Sequence, residues 1–132
     1  MHIRKASTDV SKSEYGGDFR RIYPWAGVST PPWGSAWMTI AAGEASNPHN
    51  HDEDETFIIV SGTGIMTVDD ESQPVEKGDV IYLPRFSQHH LQNTSAVESL
   101  EFLTVWWGAP EVSAAPTPTG ATTQSVVEGQ PA

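Results

Sequence analysis

Short apolar runs, each ended by turn-forming residues, dominate this chain from Tyr23 to Trp107. The segments SAWMTIAA (35–42), TFIIV (56–60), GIMTV (64–68), DVIYLP (79–84) and LEFLTVWW (100–107) are rich in β-branched and aromatic residues. Gly, Pro, Asp or Ser bound them. Such side chains pack well on a pleated surface, and the flanking residues favour turns, so each segment reads as a strand. No helix-length window carries apolar residues at the helical period of about 3.6. The chain is therefore expected to be all-β, a sandwich or barrel. SGTG (61–64) separates two strands by hairpin distance, and DDESQP (69–74) is expected to form a second turn. FIIV and VIYL are apolar on both faces. Their outer face must be covered, by the N-terminal segment or by a second subunit, and a homodimer is expected.

With 132 residues the chain has material for one core and not for two. Residues 1–20 are a polar N-terminal segment, 21–108 hold the strands, and 109–132 form a Pro/Ala/Thr-rich stretch. That last stretch has no aromatic residue, and its prolines suit a flexible, disordered tail or a linker to a partner domain. Seventeen Asp and Glu stand against seven Lys and Arg, a net charge of −10. A nucleic-acid partner needs a basic footprint to displace phosphate counterions, so it is excluded, and an anionic membrane surface is disfavoured likewise. No apolar run is long enough for a spanning helix, and the first residues lack the apolar core of a secretory signal, so the expected compartment is cytoplasmic. The chain has no cysteine, so any metal must be held by nitrogen and oxygen.

HNHDEDE (49–55) is the densest polar cluster. On an extended strand His49, His51 and Glu55 point to one side, while Asp52 and Asp54 point to the other. Read alone, the stretch fits a solvated acidic loop as well as half of a divalent cation shell.

The surrounding residues give that cluster a context. Gly43, five residues, His49, one, His51, three, Glu55, six and Gly62 match the first signature of the cupin superfamily. Gly78, five residues, Pro84, then His89 and Asn93 match the second. The chain thus resembles a small single-domain cupin over roughly residues 20–108. The resemblance implies a double-stranded β-helix, or jelly-roll barrel, holding one divalent transition metal (Zn, Fe, Mn or Ni) on His49, His51, Glu55 and His89. Asp52, Glu53 and Asp54 are then the solvated remainder. His90 has the opposite strand parity and is expected at the surface or behind the ligands, and Asn93 is expected to close a turn. One departure stands out: Phe86 occupies a position that is usually glycine. The local loop is expected to differ, and the ring to narrow or shape the entrance.

Around such a centre, Trp33, Trp37, Trp106 and Trp107 either shape the pocket or pack core and subunit contacts, with one of the last pair facing inward. Arg85 is a candidate anchor for a substrate carboxylate, weighed against a surface pairing with nearby acids. The resemblance implies a metal-dependent enzyme acting on a small molecule, by dioxygenase, isomerase or cyclase-like chemistry. A non-catalytic ligand-binding module is the other class. A narrower likeness, carried by PWGSAW, LEFLTVWW and the tail, is to the zinc cupin portion of hydrazine-forming natural-product enzymes. Those work with a methionyl-tRNA-synthetase-like domain.

Overall fold

The computed structural model describes residues 1–110, and among them every regular element is a strand. These are β1 (Lys12–Glu14), β2 (Gly17–Arg21), β3 (Trp33–Ile40), β4 (Asp54–Ser61), β5 (Thr63–Val68), β6 (Glu71–Glu76), β7 (Val80–Leu83), β8 (His89–Asn93) and β9 (Leu100–Trp107). A six-stranded sheet runs β1-β2-β3-β9-β4-β7, and a three-stranded sheet runs β6-β5-β8. All named pairings are antiparallel. The expected tail falls on residues 111–132, which lie outside the described ones.

The core sits between the sheets and follows strand alternation. Ala36, Met38 and Ile40 of β3, Phe57 and Ile59 of β4, Leu91 of β8 and Phe102 and Trp106 of β9 are buried on the inner faces. Phe57 and Phe102 bring their ring centroids to 4.4 Å across neighbouring strands. Aromatic pairs at such a distance contribute beyond their buried area.

Several sequence expectations are corrected. The strands flanking SGTG do not pair with each other: β4 belongs to the larger sheet and β5 to the smaller. Gly62, at φ 93°, turns the chain between sheets, and a Cβ there would lie 2.7 Å from the Ser99 carbonyl oxygen. A hairpin and a sheet-switching corner look alike in sequence because both need a tight turn. The turn at DDESQP is confined to its first residues, and β6 begins at Glu71. Pro74 is accommodated because β6 is an edge strand. The larger sheet also begins at Lys12, earlier than the boundary at residue 21. Its first hairpin turns at Tyr15 and Gly16, with φ of 56° and 89°. That is a type I′ pattern usually signalled by Asn-Gly, and tyrosine conceals it.

Phe86 adopts φ 66°, so the loop keeps the left-handed conformation that glycine normally supplies. Its amide donates to the His51 carbonyl at 2.9 Å, which holds the strained residue in place. The ring is 64% exposed and gains little burial in return. Left-handed backbone costs a non-glycine residue about 1–2 kcal/mol, and glycine gives back part of this through unfolded-chain entropy. Phe86→Gly is expected to raise stability by up to about 1 kcal/mol in urea denaturation with an unchanged m-value. A loss of stability would show that the ring makes contacts beyond the loop.

Candidate metal centre

The two halves of the site are tied by backbone. His49 and His89 form an isolated antiparallel bridge, each amide donating to the other's carbonyl at 3.3 and 3.0 Å. The Ser46 hydroxyl accepts the Leu91 amide at 2.8 Å, and the Asn47 amide donates to the Tyr15 carbonyl at 2.9 Å. Ligand candidates separated by some forty positions are thereby placed side by side.

One ring nitrogen from each of His49, His51 and His89 lies within 4.8 Å of the others. The ring centroids are 4.8 Å apart for His49–His89, 5.6 Å for His49–His51 and 5.3 Å for His51–His89. Glu55 adjoins two of these rings: its Oε1 lies 2.9 Å from His51 Nε2 and 3.4 Å from His89 Nε2. The Nδ1 atoms of His49 and His89 face the carbonyls of Asn47 (2.9 Å) and Ser87 (3.2 Å). Those contacts fix the tautomer and leave Nε2 as the ligand atom. The Thr104 hydroxyl donates to Glu55 Oε2. Three imidazoles and one carboxylate, preorganised and sheltered, fit a borderline divalent cation. Burial pushes the Glu55 carboxyl up to about 7, against the hydrogen bonds from His51 and Thr104 that lower it.

Glu53 corrects the sequence reading. It is not solvated but 5% exposed, with Oε1 3.6 Å from His51 Nδ1. The signal was present: 49, 51, 53 and 55 share one strand parity, so Glu53 turns inward with the candidate ligands. Asp52 and Asp54 do turn outward, where Arg85 meets them. Its guanidinium lies 2.8 Å from Asp52 Oδ1, 2.9 Å from the Asp52 carbonyl and 3.6 Å from Asp54 Oδ2. It also donates to the Gly108 carbonyl. This is the pairing with nearby acids that was weighed against the anchor role, and it braces the two ligand segments against the end of β9.

His90 pairs with Thr67 on the face opposite His89. Asn93 closes a turn: its side-chain amide donates to the carbonyls of Ile40, Ala41 and Glu98, and its Oδ1 accepts the Ser95 amide. Trp106 is buried and Trp107 exposed, as alternation requires. Trp106 lies across Gly34, where a Cβ would come within 2.1 Å of the indole. Sequence reading missed Tyr15, Phe19 and Arg21 on the N-terminal hairpin. Phe19 alone is apolar enough to announce a strand there.

The description that matches residues 36–106 is that of a cupin domain. A solved protein from Photorhabdus luminescens is 36% identical, with a TM-score of 0.73, covering 93% of this chain and 97% of that one. A cupin 2 conserved barrel domain protein from Salinispora arenicola is 30% identical, with a TM-score of 0.73 and coverage of 93% and 98%. An uncharacterised protein of Methanocaldococcus jannaschii is 36% identical over 59 residues, 44% of this chain. That match spans about half of the relative's own length, 47%.

Proposed function

Since this chain belongs to the cupin family, we propose that it is a metal-dependent enzyme acting on a small molecule at a centre formed by His49, His51, Glu55 and His89. The observation that carries this reading is the cluster of three imidazoles, two of which stand within 3.4 Å of one buried carboxylate oxygen. A divalent Zn, Fe, Mn or Ni ion held by these side chains would supply Lewis-acid or oxygen chemistry at the site. Thr104 holds the carboxylate in position, the Asn47 and Ser87 carbonyls orient two of the rings, and the surrounding core excludes water. A donor set of this kind suits an enzyme, which would act through the ion it holds, more than a passive binder, which needs it less. The test is elemental analysis of protein purified without added metal, expected to give about one transition ion per chain. A full-length preparation that neither retains nor takes up a transition ion would overturn the reading.

Glu55 supplies a pH signature. Its folded pKa of about 7 lies above the ordinary 4.5. Its contribution to the metal-free protein is therefore fully present below about pH 4.5 and lost as pH rises through about 7. Metal-free protein is expected to melt at progressively lower temperature between roughly pH 5 and pH 8. Protein loaded with Zn(II) should hold or gain melting temperature over that range, because the cation compensates the carboxylate. Parallel thermal melts check this, and identical slopes for both forms would remove Glu55 from the ligand set.

We propose further that the outer face of the larger sheet is covered by a second copy of the chain. Trp37, Leu103, Ile58 and Val80 lie in one cross-strand row, and Val105, Thr56 and Tyr82 in the next. Val80 and Tyr82 are exposed. An apolar row this continuous is unusual on a solvated sheet. Sedimentation is expected to give a dimer that Leu103→Glu converts to a monomer without changing metal content. A wild-type monomer at micromolar concentration counts against it.

A further inference from the structure

His51 is held differently from the other two imidazoles. The Nδ1 atoms of His49 and His89 each face a backbone carbonyl, that of Asn47 at 2.9 Å and that of Ser87 at 3.2 Å. His51 Nδ1 is buried and has no such acceptor; among the described residues it makes no hydrogen bond. The group beside it is the Glu53 carboxylate, with Oε1 at 3.6 Å. On the other edge of the ring, Nε2 lies 2.9 Å from Glu55 Oε1. One imidazole is thus set between two buried carboxylates. Glu55 belongs to the proposed ligand set, but Glu53 has no part in it. A buried carboxylate costs desolvation and persists where a donor faces it.

The flanking residues fix Glu53 in that place. Arg85 donates to both the carbonyl and the carboxylate of Asp52, and the Tyr82 hydroxyl donates to Asp54. The His51 carbonyl accepts the Phe86 amide. With Asp52 and Asp54 tied outward, alternation leaves Glu53 facing in. A neutral imidazole carries a single proton, and a ring that gives Nε2 to a cation must carry it on Nδ1. That N–H then needs an acceptor. Building on the metal-centre reading, we infer that Glu53 is a positioning residue, whose carboxylate accepts the Nδ1 proton of His51 and so keeps Nε2 bare and aimed at the metal position. Nε2 cannot both bond Glu55 and serve a cation. Once the bond to Glu55 is given up, a ring movement of about 0.5–1 Å brings Nδ1 within hydrogen-bond range of Glu53. A carboxylate offers several acceptor sites, so this role leaves the other contacts of Glu53 in place. Because the acceptor is charged, His51 is held more strongly than the two rings that rest on neutral carbonyls.

The experiment uses the full chain with isotope-labelled histidine, with and without Zn(II). Long-range proton–nitrogen NMR spectra identify which ring nitrogen carries the proton. In the Zn(II) form His51 is expected to carry it on Nδ1. Glu53→Leu removes the acceptor and should weaken Zn(II) binding about 10–100-fold in chelator competition, the usual range for loss of such a partner. Glu53→Gln keeps an oxygen acceptor and should lose clearly less. In Glu53→Leu the His51 ring signals should move while those of His49 and His89 stay, a pattern that a general loss of packing does not give. Equal Zn(II) affinity in wild type and Glu53→Leu overturns the inference. So does a wild-type His51 that keeps its proton on Nε2 in the Zn(II) form, a result that does not depend on either variant folding. A wild-type protein that takes up no Zn(II) overturns the metal reading itself, which separates that failure from this one.

Discussion

If the proposed centre holds a transition metal, replacing His89 with alanine is expected to abolish most of that binding, while His90→Ala leaves it unchanged. The two residues are adjacent, but they lie on opposite faces of β8. His89 is 1% exposed, with Nε2 3.4 Å from Glu55 Oε1, whereas His90 pairs with Thr67 on the other face. Disturbing an outer partner of a metal ligand typically lowers affinity about 10–100-fold, so deleting a ligand should exceed about 100-fold. Losing a buried side chain also lowers stability, and the comparison is therefore made at a temperature where both variants are folded by circular dichroism. Competition with a chromogenic chelator measures the affinities. Equal values for the two variants would falsify the assignment of His89 and with it the proposed centre.

The second large effect is on stability. Gly34→Ala places a Cβ 2.1 Å from the Trp106 indole and under 2.5 Å from two further ring atoms. The obstructing group is a buried ring, stacked near Arg21 at 5.7 Å and confined on the opposite side of the β3–β9 ladder. It cannot rotate away as the end of a flexible side chain could. Either the indole leaves its rotamer or the strands part, and overpacking of this kind costs about 1–3 kcal/mol. For a domain of this size that corresponds to a melting-point loss of roughly 4–20 °C. If the clash is the cause, Trp106→Phe should relieve it, so the double variant should lose less than the sum of the single losses. Strictly additive losses would show that Gly34 is needed for a reason other than this ring.

Much of the architecture can be read from the chain because strand period is local. β3, β4, β5, β7 and β9 announce themselves by β-branched and aromatic runs. The two-residue repeat also puts His49, His51 and Glu55 on one face without any knowledge of their neighbours. Glu53 was readable by the same rule, since it shares their parity. The elements that escaped, β1, β2, β6 and β8, are mostly polar: β1 has no apolar side chain and the other three have one or two each. Their strand character comes from pairing with neighbours, and pairing energy is not encoded within the segment.

What tertiary structure alone decided is which residues face each other. Parity says that Arg21 and Phe19 share a side of β2, but only the pairing of β2 with β3 makes that side the interior. Likewise, Arg85 in sequence is a lone cation near a ligand, and the fold determines that Asp52, Asp54 and Gly108 meet its fork. The meaning of SGTG depended on whether the next strand folds back or crosses to the other sheet. Local sequence specifies the turn, whereas the choice of partner strand is set by burial across the whole core, where residues far apart in the chain compete for the same face.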